Sequence, residues 1–163
     1  MSRYLIVACG NPLRGDDGVG WHVAGALRSS FADSHVELVE ICAVHQLTPE
    51  LADQLRQAQT AIFVDAALDL APGHIELATI SPAKASHAKL SHALTPQMLL
   101  ALTQGFYGTL PEESFLLKIG GSSFEISAEL SQPVQRSIRE AVEKILRMLA
   151  RRMDATTEAS GIS

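Results

Sequence analysis

The chain has 163 residues, of which 47% are hydrophobic and 19% are charged, and its formal net charge is −5. This length fits one domain that buries roughly 70% of the surface of its unfolded chain. The acidic balance and the lack of a basic cluster argue against a nucleic-acid partner. No apolar run approaches the roughly 18 residues of a membrane span, and the N-terminal run is shorter than the core of a signal peptide. We therefore expect a cytoplasmic protein that does not associate with membranes and acts as a monomer.

Strand-like and helix-like patterns alternate along the first half of the chain. The first strand is apolar throughout and bounded by glycine, which is typical of a strand buried on both faces. The third strand is also continuous and apolar, and it ends in the carboxylate of Asp65. The predicted elements are, in chain order, strand 3–9, helix 18–30, strand 36–42, helix 49–57 and strand 61–65.

The second half continues the alternation after a Pro-Gly turn. A strictly alternating run predicts a shorter strand at a sheet edge, and small polar residues without a period predict a loop. The last helix carries one apolar stripe. A single domain over 1–153 is followed by a tail, 154–163, that has little to bury and is expected to be disordered. The predicted elements are strand 74–80, loop 81–91, helix 96–104, strand 114–119 and a helix from residue 132.

This alternation predicts an α/β fold. It should be a three-layer sandwich, with a mostly parallel twisted sheet of about five strands and helices on both faces. Ligands of such folds bind outside the carboxyl ends of the strands. Asp16 and Asp17 follow the first strand and Asp65 ends the third, so all three are expected on the same rim of the sheet.

The turn between the first strand and the first helix, residues 9–20, is rich in glycine. Such turns usually present backbone N–H groups to a phosphate. Here Asp16 and Asp17 would repel phosphate and attract a cation. The run Gly18–Val23 nearly matches the dinucleotide fingerprint, and Glu40 lies where a ribose-binding acid is expected. A nucleotide-binding Rossmann-like module is therefore the rival hypothesis, although the carboxylates would face the pyrophosphate.

A divalent metal site is the other interpretation of this rim. Carboxylates from Asp17 and Asp65 together with one imidazole suit a borderline divalent ion and leave coordination positions open. The imidazole is that of His45 or His92, each of which begins a His-x-Leu-Thr-Pro motif at the start of a predicted helix. In the structural alternative, Asp65 caps the next segment and Asp16 holds the turn by bonding its own backbone.

Several motifs together resemble those of the hydrogenase maturation endopeptidases, the nickel-dependent processing proteases of nickel–iron hydrogenases. The resembling parts are Gly10–Gly20, the strand that ends in Asp65, Ser91–Leu94, and Gly120–Ser127 with the long helix that follows. The most specific part is the block Gly-Asn-x-x-x-x-Asp-Asp-x-x-Gly, in which the family has Asp or Glu at the position of Asp17. The resemblance extends to about residue 150.

The resemblance implies an endopeptidase that removes the C-terminal extension of a nickel–iron hydrogenase large-subunit precursor after nickel insertion. It implies that Asp17, Asp65 and His92 are the metal ligands and catalytic residues. The divalent nickel would be delivered within the substrate, and a non-catalytic nickel-site chaperone is a further alternative. The supporting or substrate-binding residues would be Asn11, Asp16 and His45.

Overall fold

The computed structural model describes residues 3–31, 37–84 and 93–161 of the chain. Within these ranges the fold has five strands and four α-helices, and short 3-10 turns lead into the first two helices. The elements are β1 (Tyr4–Cys9), α1 (Val19–Phe31), β2 (Val39–Val44), α2 (Ala52–Leu55), β3 (Thr60–Ala67), β4 (Ile75–Thr79), α3 (Pro96–Tyr107), β5 (Glu113–Gly120) and α4 (Gln132–Ser160).

The five strands form one sheet in the order β2-β1-β3-β5-β4. All neighbouring strands are parallel except β4, which pairs antiparallel with β5 at one edge. In the middle of the sheet, Val7 of β1 lies opposite Cys42 of β2 and Phe63 of β3. The expected α/β fold and the short edge strand are confirmed.

Alternate side chains of β1 enter two separate cores, which makes the three layers. Ile6 packs with α1 and α4 on one face, while Leu5 and Val7 pack with α2 and α3 on the other. These three side chains are fully buried. Because both faces of β1 are covered, its sequence is a continuous apolar run without alternation.

The sequence predicted that the third strand ends at Asp65, but β3 continues to Ala67. The reason is that β5 pairs with this whole stretch, with Asp65 opposite Lys118 and Ala67 opposite Gly120. On its other side, β3 loses its partner at Val64, where the pairing with β1 stops. Asp65 therefore lies just beyond the end of β1 although it is still inside β3.

The last helix also runs further than its apolar stripe suggested. Residues 154–160 continue α4, whereas low burial predicted a disordered tail from residue 154. The hydroxyl groups of Thr156, Thr157 and Ser160 donate to carbonyls four residues earlier, so these side chains find partners within the helix itself. Among the described helices, none combines the length and apolar character that a bilayer crossing needs.

Of the predicted loop 81–91, residues 81–84 have no regular structure and the remainder lies outside the described residues.

Candidate active site

A cleft of about 360 Å³ opens at the carboxyl ends of β1 and β3. It brings Asp17, Asp65 and His45 together on the predicted rim of the sheet. His92 lies outside the described residues, while the residue after it in the chain, Ala93, lines the cleft. The lining residues are Cys9, Gly10, Asn11, Arg14, Asp17, His45, Gln46, Leu47, Asp65, Ala93 and Leu94.

The turn after β1 folds back so that Asp17 faces this cleft. Gly10 has φ +147°, and a Cβ atom there would collide with the carbonyl oxygen of Asp17, so the close approach requires glycine. The backbone N–H of Asn11 donates to Asp17 Oδ2 at 2.8 Å. The Asn11 side chain accepts from the N–H of Leu13 at 2.9 Å, which stabilises the same turn. These contacts fix the Asp17 carboxylate at the cleft wall.

The neighbouring carboxylate, Asp16, points the other way and is 0% exposed. Its Oδ2 accepts from the N–H groups of Ser122 and Ser123 and from the Ser131 hydroxyl, and its Oδ1 accepts from the Ser131 N–H. Burial by itself would raise the pKa of Asp16, but these hydrogen bonds outweigh it and hold the pKa below the ordinary value. The local backbone bond considered from the sequence is replaced by bonds to a segment more than 100 residues away.

Asp65 is in a different electrostatic state. Burial, with a smaller contribution from the negative charge of Asp17, raises its pKa to about 7, against one hydrogen bond from the backbone of Ala66. Burial and then the charge of Asp65 likewise raise the pKa of the Cys9 thiol to about 11. The thiol donates weakly to the carbonyl of His45 at 3.8 Å. Because it stays protonated at neutral pH, Cys9 lacks the thiolate form that a cysteine nucleophile needs.

His45 is held in the cleft wall by an aromatic contact. The ring of Trp21 meets the His45 ring edge to face, with their centroids 5.4 Å apart, and the Trp21 indole donates to the carbonyl of Gly10 at 2.8 Å. Sequence reasoning did not assign a role to Trp21, and its position one residue after the Gly-x-Gly run was the only signal.

The second His-x-Leu-Thr-Pro motif begins α3 as expected, where Thr95 caps the helix by accepting from the N–H of Met98.

Within residues 3–31, 37–84 and 93–161, no three His, Cys, Asp or Glu side chains stand close enough together to hold a metal ion. The carboxylates of Asp17 and Asp65 form an acidic pair in the cleft, and the negative charge of Asp17 raises the cost of ionising Asp65. A cation placed between them would relieve that repulsion. The described donor set therefore fits part of a metal site, which needs at least one further ligand.

Several solved structures with the same architecture are hydrogenase maturation enzymes. The hydrogenase maturating endopeptidase HybD from E. coli matches with a TM-score of 0.73 and 22% identity, over 91% of this chain and 93% of that one. The hydrogenase 2 maturation peptidase from a Thaumarchaeota archaeon matches with a TM-score of 0.68 and 27% identity, over 91% of this chain and 99% of that one. This chain has the fold of the hydrogenase maturation endopeptidases.

A third example of this fold is the [NiFe] hydrogenase maturation protease HybD from Thermococcus kodakarensis, with a TM-score of 0.66, 21% identity, and coverage of 90% of this chain and 98% of that one. No family sequence model matches the chain, and neither does the sequence of a curated protein. The resemblance to hydrogenase maturation endopeptidases that the motifs indicate is thus confirmed by the arrangement of strands and helices.

The raised pKa of Asp65 predicts that the folded state becomes less stable as the pH rises. The folded state binds this proton more tightly than the unfolded state, whose pKa is about 3.9, so the free energy of unfolding falls as the pH rises from about 4 to 7. Asp65→Asn removes the charge. The free energy of unfolding of this variant, measured relative to that of the wild type, should therefore rise by about 2 kcal/mol from pH 5 to pH 8. Urea unfolding of both proteins with a chelator present measures this difference.

The control for this experiment is Asp53→Asn, which removes a carboxylate that is half exposed and paired with Arg56. Its difference from the wild type should stay within about 0.5 kcal/mol across the same pH range. An Asp65→Asn curve that runs parallel to the wild-type curve would contradict the assigned pKa.

Proposed function

We propose that the protein is an endopeptidase that removes the C-terminal extension of a nickel–iron hydrogenase large-subunit precursor after nickel has been inserted. The observation that carries the proposal is that Asp17 and Asp65 line one cleft in a chain that shares the hydrogenase maturation endopeptidase fold over 91% of its length. The structural neighbours are named as hydrogenase maturation enzymes, and the sequence motifs point to the same family.

In this proposal the nickel belongs to the substrate. Asp17, Asp65 and His92 would contact the divalent ion that the precursor already holds. Two carboxylates and one imidazole occupy only part of the coordination shell of a divalent ion of this kind, which leaves positions for ligands from the precursor. The acidic pair also favours a cation at this point, because the cation removes the repulsion between Asp17 and Asp65.

The catalytic benefit of such a contact is positioning. A precursor anchored at the cleft would hold its scissile peptide bond close to the reacting groups, so that cleavage no longer depends on a chance encounter. We propose that water is the nucleophile, because the Cys9 thiol stays protonated at neutral pH. The water oxygen then bonds to the scissile carbonyl carbon, the C–N bond breaks, and the proton from water passes to the leaving amine.

The proposal predicts that cleavage depends on the metal state of the substrate. The purified protein should shorten a nickel-loaded large-subunit precursor at least roughly 100-fold faster than the nickel-free precursor, since the second lacks the anchor. Intact-mass spectrometry of the precursor at timed intervals measures the rate, and the size of the released peptide gives the cleavage position.

Three outcomes would contradict the proposal in different ways. Equal cleavage of the two precursors would show that the protein is a peptidase that does not recognise nickel. Binding of the precursor with no change in its mass would indicate a chaperone. A thermal shift with a dinucleotide, and none with a nickel-loaded precursor, would indicate the nucleotide-binding module that the glycine-rich turn first suggested.

A further inference from the structure

Strand β4 has an open edge. Its inner side is hydrogen-bonded to β5. The N–H of Ile80 donates to the carbonyl of Ser114, and the N–H of Gly120 donates to the carbonyl of His74, each at 2.9 Å. In an antiparallel pair, residues alternate between bonding inward and pointing outward. Ile75, Leu77 and Thr79 therefore direct their N–H and C=O groups away from the sheet. In the part of the chain that the structure describes, no backbone group bonds to them there.

A cationic groove of about 440 Å³ runs beside this edge, between β4 and α4. Its apolar floor is formed by Leu77 and Met148, and its wall by Lys144, Arg147 and Arg151 of α4. Within the described ranges these three cations make no ion pair, although the protein has a net charge of −5. The next cation along the helix, Arg152, is by contrast paired with Glu113 at 2.6 Å.

The spacing of the three cations suits an extended chain. Along a helix, which rises about 1.5 Å per residue, Lys144 and Arg147 are about 4.5 Å apart and Arg147 and Arg151 about 6 Å. On a strand, side chains of the same face recur about every 6.6 Å. A strand added at the edge of β4 would turn every second side chain towards α4, where long flexible cations can meet carboxylates at that interval.

We propose that the β4 edge and the row formed by Lys144, Arg147 and Arg151 are a docking groove for an extended acidic peptide segment of a partner protein. The segment would join the sheet as a sixth strand next to β4, with carboxylates at alternate positions facing α4. The outward N–H and C=O groups select a peptide backbone, because a nucleic acid has no matching ladder of donors and acceptors. This groove is separate from the cleft at Asp17 and does not depend on the function proposed for it.

The side-chain part of the proposal is tested with a fluorescent synthetic peptide of about nine residues that alternates glutamate and threonine. Fluorescence anisotropy with the full chain should show binding, and the double variant Arg147→Glu with Arg151→Glu should weaken it at least tenfold. The matched control is the double variant Arg136→Glu with Arg139→Glu, which makes the same total charge change in α4 at residues that do not line this groove. Its affinity for the peptide should stay within twofold of the wild type.

The backbone part is tested at Thr79, which is exposed and whose N–H points outward. Thr79→Pro removes this donor without touching the ladder to β5, as proline is tolerated on the open side of an edge strand. Peptide binding should fall at least tenfold in Thr79→Pro and stay unchanged in Thr79→Val, with both variants checked by circular dichroism.

Other outcomes would overturn the proposal. If Thr79→Pro and Thr79→Val bind the peptide equally well, the open edge of β4 does not take part in binding. If a peptide with its glutamates in one block binds as well as the alternating peptide, the groove attracts negative charge without recognising a strand. Tighter binding of single-stranded DNA than of the alternating peptide would assign the cations to a nucleic acid instead.

Discussion

Asp16→Ala is expected to lower the free energy of unfolding by about 3–5 kcal/mol. The carboxylate is fully buried, and its removal leaves the N–H groups of Ser122, Ser123 and Ser131 without the acceptor that they share. A fully buried donor without a partner costs about 1–3 kcal/mol, and water offsets part of this cost at Ser122 and Ser123, which are exposed. Urea unfolding at pH 7 measures the change, and the melting temperature should fall by about 10 °C.

The dependence of this loss on pH identifies its cause. The folded state lowers the pKa of Asp16, so its contribution is present above the unfolded pKa of about 3.9 and is lost as the pH falls through the folded value. The difference between the wild type and Asp16→Ala should therefore shrink in acid. Asp53→Ala, at a half-exposed carboxylate, is the control and should cost less than about 1 kcal/mol. A similar small loss for Asp16→Ala would mean that residues 121–131 are held by other contacts.

Asp17→Asn is expected to reduce precursor cleavage at least roughly 100-fold while leaving the fold intact. The amide oxygen of asparagine can still accept from the N–H of Asn11, so the turn keeps its hydrogen bond. What is lost is the negative charge that is proposed to contact the nickel of the substrate. Cleavage is followed by mass spectrometry, and urea unfolding should show a change below about 1 kcal/mol.

The histidines provide a matched comparison for the same assay. His92→Gln should abolish cleavage if the family resemblance assigns the ligand correctly, and His45→Gln should retain most of it. The reverse result would move the ligand role to His45, which lines the cleft beside Trp21. Full activity of Asp17→Asn would remove the acidic pair from the mechanism altogether.

The fold could be predicted from the sequence because its strands and helices carry clear periodic signals. Buried strands such as β1 are continuous apolar runs, and α4 has an apolar stripe at helical spacing. The errors lie at the boundaries. β3 extends past Asp65 because β5 pairs with it there, and α4 extends past residue 153 through hydrogen bonds between neighbouring turns. Neither pairing partners nor local hydrogen bonds are visible in the hydropathy of a single segment.

The candidate site was only partly accessible to sequence reasoning. The rule that ligands bind at the carboxyl ends of parallel strands brought Asp17, Asp65 and His45 to the same rim, where the cleft is found. The opposite directions of Asp16 and Asp17 depend on a segment more than 100 residues away, which no local pattern reveals. The contact between Trp21 and His45 depends in the same way on the packing of α1 against the end of β2.

The hydrogen bonds of Asp16 also have a consequence for biosynthesis. They join positions that are 106 to 115 residues apart, so the buried side of the turn, at Asp16, obtains its hydrogen-bond partners from residues 122–131. Contacts of such long sequence separation form late, because the loop between them must close first. A nascent chain that still lacks residues 121–131 would leave the Asp16 carboxylate without these partners, and the turn would reach its final form only after those residues have been made.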